Sequence, residues 1–181
     1  SLQARPEVDA SRVLLGGHSA GGHLAAWLSL TWAATEQPQR QQPPPIAFAG
    51  VEGIYNASLW DTYQTSRWKG SFHCADWQAF GDPKQHWADG WVQGSPSAIA
   101  LTAAPVAPLL LIHSPQDDWV QSQQAKVLFP LLQPPMKGRH LLDVAGACAR
   151  GEHPDVLKGS SAMMLAQCLL DFLGASTGGS V

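Results

Sequence analysis

The segment Gly17-His18-Ser19-Ala20-Gly21 constrains this chain more than any other. It follows Arg12-Val13-Leu14-Leu15-Gly16, an apolar run that reads as a short buried strand over 12–16. It precedes Leu24 to Leu30, which is apolar nearly all round and reads as a buried helix. A serine between a buried strand and a buried helix has to sit on a sharp turn. The glycines of Gly-x-Ser-x-Gly let the two elements approach and leave the hydroxyl exposed. By itself this spacing recurs by chance in roughly several per cent of chains this long. The strand before it and the helix after it are what give it weight. A serine hydroxyl is a poor nucleophile at neutral pH and needs both such a turn and a neighbouring base, so Ser19 is the candidate nucleophile.

The rest of the chain repeats the strand-then-helix pattern. Residues 46–53 read as a second buried strand, 108–113 as the clearest one, and 140–144 as a fourth. Residues 122–132 read as a helix with Pro130 near its end. Residues 160–173 read as a closing helix with Gly174 as its stop. Gln37 to Pro45 is polar and proline-rich, and reads as an exposed loop. Alternation of this kind predicts an α/β chain with a mainly parallel sheet and helices on both faces. The 181 residues suffice for one domain, and no internal repeat divides them. Residues 54–98 lack sustained periodicity and carry Trp60, Trp68, Trp77, Trp87 and Trp91. They read as a cap-like insertion of short helices and loops, with an aromatic-lined pocket as the functional expectation.

Composition excludes some functions. A net charge of -3 argues against a nucleic-acid partner. No run of about 18 apolar residues is present, so no membrane helix is expected. Ser1 to Pro6 lacks the apolar stretch of a signal peptide. Cys74, Cys148 and Cys168 are odd in number, widely spaced and without metal-ligand spacing. They read as buried free thiols in a reducing, cytoplasmic compartment. The expected partner is a small-molecule substrate, with no membrane contact and a homodimer left open. No metal or organic cofactor is required.

A nucleophilic serine needs a histidine base oriented by a carboxylate. In a strand-turn-helix site of this type the chain order is serine, acid, histidine. Asp117 and Asp118 follow the strand 108–113 and are rival acids. His153 lies in a loop between the last strand and the last helix, where an imidazole can reach Ser19. His113 and His140 fall in strand patterns and read as structural. His18 and His23 read as packing around the turn, which aims Ser19 away from its sequence neighbours. Glu152 and Asp155 read as solvated. The negative charge of an acyl-transfer intermediate needs at least two donors, one of them the N–H of Ala20. The second usually comes from an HGGG-type loop, and no such sequence occurs here. Loss of one donor costs about 10²–10³ in rate.

Together these residues resemble the kynurenine formamidase (arylformamidase) branch of the α/β-hydrolase superfamily. Gly17-His18-Ser19-Ala20-Gly21-Gly22-His23-Leu24 is similar to its nucleophile motif, which small carboxylesterases share. Gly50-Val51-Glu52-Gly53-Ile54-Tyr55-Asn56 is similar to the strand and turn that follow in fungal-type members. Ala79-Phe80-Gly81-Asp82, then Trp87 and Ser95-Pro96, fit the same branch. His113 to Val120 resembles a His-Gly/Ser-x-x-Asp-x-x-Val segment whose acid stands four residues after the histidine, which selects Asp117. His153-Pro154-Asp155-Val156-Leu157 resembles the His-Phe-Asp-Val-Leu of the family's catalytic histidine, with Pro154 replacing the phenylalanine. Gln121 stands where a proline often follows the valine. The resemblance covers most of residues 10–173 and lacks the family's N-terminal half with its His-Gly-Gly-x-Trp oxyanion segment. It implies the C-terminal portion of an α/β-hydrolase and a triad of Ser19, Asp117 and His153. The implied reaction hydrolyses N-formyl-L-kynurenine to formate and L-kynurenine, in tryptophan breakdown. Two alternatives stand beside it: a broad-specificity carboxylesterase with the same triad, and a truncated, catalytically impaired hydrolase-like protein.

Overall fold

The computed structural model describes residues 9, 11–33, 43–81, 91–133 and 139–176. Most of the proline-rich loop 37–45, and Asp82 and Trp87 of the insertion, lie outside these residues, as does the side chain of Trp77. Four strands form one sheet in the order β1-β2-β3-β4. They are β1 (Leu14–His18), β2 (Ala47–Val51), β3 (Leu109–Ile112) and β4 (Leu141–Asp143). Every pairing is parallel, so each connection crosses over through helical chain.

Side-chain alternation assigns the two faces. Phe48, Leu109 and Leu111 pack with Ala26 and Leu30 of α1 (Ala20–Thr31) and with Ala125 and Leu128 of α5 (Gln123–Leu128). Ala47, Ala49, Val51, Leu110 and Ile112 point the other way, onto Leu165 and Phe172 of α6 (Gly159–Ser176). The expected parallel sheet with helices on both faces is therefore what the chain forms. Between β2 and β3 run α2 (Ala57–Trp68), α3 (His73–Phe80) and the short α4 (Pro96–Ile99). No helix among the described residues is long and apolar enough to cross a membrane.

Several element boundaries differ from the sequence reading. β1 runs on to His18 instead of ending at Gly16, because Gly17 and His18 stay in register with Gly50 and Val51. It is half-buried and not buried, since it forms an edge of this sheet. The closing helix passes through Gly174 to Ser176. The helix expected over 122–132 turns into a 3₁₀ turn at Phe129–Leu131, where Pro130 has no N–H to continue it.

The cysteines correct a further expectation. Cys148 and Cys168 form a disulfide, and Cys74 is free and exposed. Their separation of 20 residues concealed that α6 folds back beside the loop after β4, with the two Cα atoms 5.7 Å apart. Buried free thiols therefore no longer argue for a reducing compartment.

Candidate active site

The carboxyl ends of β1, β2 and β3 lie side by side, and the residue after each strand extends the ladder. The N–H of Ser19 donates to Val51 O (2.9 Å), that of Glu52 to Ile112 O (2.8 Å), and that of His113 to Asp143 O (2.8 Å). Open parallel sheets characteristically bind ligands at this edge.

Ser19 occupies φ 56°, ψ -121° between β1 and α1. This is a left-handed, strained setting for a residue with a Cβ. The turn closes because Gly17 has no side chain: a Cβ there would run into the backbone of Gly21. Gly22 lets α1 lie on β2, since a Cβ would sit 2.8 Å from Val51 O. A Cβ at Gly21 itself meets nothing within 4 Å, so the second glycine of the motif serves through its backbone. Ala20 opens α1, and the first N–H groups of a helix have no acceptor within it. Ala20 lines the same cavity as Ser19.

His153 is buried, and its Nδ1–H donates to Asp117 Oδ2 at 2.8 Å. That proton placement leaves the Nε2 lone pair available as a base. Asp117 Oδ1 accepts from the N–H groups of Trp119 (2.9 Å) and Val120 (3.0 Å). His113 Nε2 stands 3.2 Å from Asp117 Oδ2 and donates to Val120 O at 2.6 Å. Burial pushes the Asp117 carboxyl up, but His113, His153 and the Val120 N–H together outweigh it and hold the group below the ordinary aspartate range. The rival Asp118 points elsewhere, 3.5 Å from Arg67. The loops that carry the acid and the base are tied together, as Ser114 Oγ donates to Gly151 O (2.6 Å).

Ser19 and His153 line one cavity of about 740 Å³. Among the described residues no hydrogen bond joins them; in hydrolases without substrate such contacts are often long. The cavity walls are mostly aromatic and aliphatic: Trp27, Trp60, Phe72, Phe80 and Trp119, with Leu24 and Ile54. Trp119 stacks on His153, with ring centres 5.4 Å apart and planes 18° apart. Trp60 was expected among the pocket aromatics, and it takes that place. Trp91 is instead fully buried, with its N–H on Gly81 O. Trp119 escaped notice because it sits outside the tryptophan-rich segment. Leu24 and Trp27 show that α1 is not buried all round; Leu24 is 56% exposed on the cavity side.

The other histidines are held as structural elements. His23 donates from Nδ1 to Ile54 O (2.6 Å), and burial pushes its pKa down, which keeps the ring neutral. His140 accepts from the N–H of Leu109 at Nδ1 and donates from Nε2 to Gln133 O. Glu52 is the residue that sequence reasoning missed. It was read as the end of a strand, yet it is a fully buried carboxylate at φ 51°. Its Oε2 accepts from His18 Nε2 at 3.0 Å and lies 3.3 Å from His153 Nδ1. The potential ligand atoms of His18, Glu52 and His153 fall within 4.8 Å of one another. Both ring nitrogens face the same carboxylate oxygen, Glu52 Oε2.

Comparison with known proteins agrees with this architecture. Residues 3–132 match the BD-FAE family. No curated protein matches the chain in sequence. Among solved structures, an acylaminoacyl peptidase from Pyrococcus horikoshii superposes with a TM-score of 0.67 at 21% identity, over 99% of this chain and 26% of that one. A puromycin hydrolase gives 0.64 at 14% identity, over 99% and 24%. Dipeptidyl peptidase 4 from Porphyromonas gingivalis gives 0.58 at 18% identity, over 95% and 20%. The chain thus spans about a quarter or less of the length of these structures. These likenesses are of fold. With its parallel sheet, its serine on the turn after β1 and a match over most of its length, the chain belongs to the BD-FAE family and has the α/β-hydrolase fold.

Proposed function

We propose that this chain is the nucleophile-bearing part of a serine hydrolase that cleaves aryl formamides, with N-formyl-L-kynurenine as substrate and formate and L-kynurenine as products. The observation that carries this reading is the aromatic cavity that holds both Ser19 and His153. Its rings match a flat aryl group, which such pockets favour. In the proposed mechanism His153 Nε2 takes the Ser19 proton as Oγ attacks the formyl carbonyl. Asp117 keeps the imidazole in the required tautomer and stabilises its charged form. The N–H of Ala20 supplies one donor to the oxyanion. His153 returns the proton to the departing arylamine. Water activated by the same histidine then releases formate from the serine ester. Helices α2 and α3 act as the cap over this site. No step calls for a metal or an organic cofactor.

One observation favours a second reading, a broad-specificity carboxylesterase. Asp76 is the one formally charged side chain among the described residues lining the cavity, and no lysine or arginine there matches a substrate carboxylate. Initial rates on N-formyl-L-kynurenine and on short p-nitrophenyl esters separate the two. Ester turnover without formamide turnover eliminates the formamidase reading. Failure of a fluorophosphonate probe to label Ser19 in folded protein eliminates both and leaves the impaired-hydrolase alternative.

A further inference from the structure

A single ring nitrogen, His153 Nδ1, has two carboxylates beside it. Asp117 Oδ2 is at 2.8 Å and takes the hydrogen bond. Glu52 Oε2 is at 3.3 Å. Glu52 has no exposed surface, and its Oε1 accepts from the N–H of Ser114 at 3.3 Å. A buried carboxylate is costly unless it is paired and hydrogen-bonded. A positive φ at a residue with a side chain, as at Glu52, adds backbone strain. A glycine would suit that backbone better, and any apolar side chain would avoid the buried charge. Both costs fall on a residue that touches His153 and His18, whose rings are 4.5 Å apart.

We propose that Glu52 is a second acid of this site: a positioning residue that flanks the Nδ1–H of His153 beside Asp117 and holds His18 against the His153 ring. The inference rests on the reading of His153 as the base of Ser19. Each group facing His153 has a defined part. Asp117 and Glu52 favour its protonated form, while His18 opposes it when charged. His113 is committed to Val120 O, and Trp119 stacks on the ring. On the loop of His153 itself, Glu152 is exposed and Asp155 pairs with Lys158. A carboxylate within about 4–6 Å of an imidazole stabilises its charged form. Removing the Glu52 charge therefore weakens the support of the imidazolium that forms as Ser19 attacks, which lowers kcat and leaves KM nearly unchanged. Loss of Asp117 leaves Glu52 as the remaining acceptor for the Nδ1 proton, so the two acids partly substitute for each other.

The test is NMR of the His153 Nδ1–H in the intact chain, assigned with His153→Gln. Glu52→Gln is expected to move that proton resonance, and an unmoved resonance overturns the proposal. Should Glu52→Gln fail to fold, Glu52→Asp withdraws the carboxylate by one methylene and is expected to give a smaller movement of the same resonance, with none again overturning it. In kinetics, Glu52→Gln is expected to cost at least tenfold more in an Asp117→Ala background than in the unmodified chain. Equal costs in the two backgrounds refute the shared role. The resonance does not depend on turnover. An unlabelled Ser19 with a moved His153 resonance therefore removes the hydrolase reading and keeps the pairing, whereas a labelled Ser19 with an unmoved resonance does the reverse.

Discussion

A serine held at φ 56° costs of order 1–3 kcal/mol, which the surrounding ladder and helix have to offset. Replacement by glycine releases most of that strain, while replacement by alanine keeps it. Ser19→Gly is expected to raise unfolding free energy by about 1 kcal/mol, measured by chemical denaturation. Ser19→Ala is expected to leave stability nearly unchanged. Under the proposed function both are expected to abolish fluorophosphonate labelling and to lower kcat by about 10⁴ or more. Asp117 carries a second effect at this scale. Its folded-state pKa lies below the unfolded value. Its contribution to stability is therefore present above about pH 4, the unfolded aspartate range, and is lost as pH falls through the folded pKa. Asp117→Asn is expected to be less stable than the parent at pH 7 and to lose less on acidification to pH 3, and equal losses refute this. The candidate residues Ser19, Asp117 and His153 were legible because each lies in a short motif within the stretch of chain that follows a strand. Glu52 and Trp119 were not. A strand-terminal glutamate looks like any other until the adjacent strand ends bring His18 and His153 to it.

At the scale of elements, apolarity marked β2 and β3 most clearly because they are buried at every position. α2 was harder to see. Its buried residues are only Ala57, Trp60 and Gln64, too sparse for a helical stripe. Its signals are its ends: Asn56 accepts from the N–H of Leu59, and Lys69 takes the left-handed C-terminal position. The turn from β2 into α2 depends on a residue far away in sequence. Gln124, fully buried on α5, accepts at Oε1 from the N–H groups of Tyr55 (2.8 Å) and Asn56 (2.7 Å). This contact joins α5 to the turn that opens α2, and no local pattern announces it. Gln124→Ala orphans two backbone donors, each worth about 1–3 kcal/mol when left buried and unsatisfied. The expected loss is about 2–4 kcal/mol in a denaturation experiment. A loss below about 0.5 kcal/mol shows that water reaches those N–H groups.

Across the whole molecule, the two sheet faces are held differently. The α1 and α5 face has a broad cluster that includes Phe48, Tyr55, Leu109 and Leu128. The opposite face rests chiefly on α6, with Leu165 and Phe172 as its buried anchors. The Cys148–Cys168 disulfide adds a covalent tie on that thinner side. It joins α6 to the loop that leads from β4 to His153. Asp143 gathers the N–H groups of Ala145, Ala147 and Cys148 in the same loop, and Ser161 on α6 bonds the backbone of Arg150. Closing a loop of 20 residues restricts the unfolded chain by about 3 kcal/mol. For a chain of this size that corresponds to about 6–12 °C in Tm. Reduction, or the pair Cys148→Ser and Cys168→Ser, is expected to lower Tm by that amount. It is also expected to increase hydrogen exchange first in residues 144–158, before the α1 and α5 face responds. A uniform increase across both faces refutes a local tie. Since Asp117 sits on the loop after β3 and His153 on this one, loosening it acts on their 2.8 Å contact before it acts on the Ser19 turn. Fluorophosphonate labelling, which needs an activated serine, is therefore expected to slow under reducing conditions at temperatures below the unfolding transition.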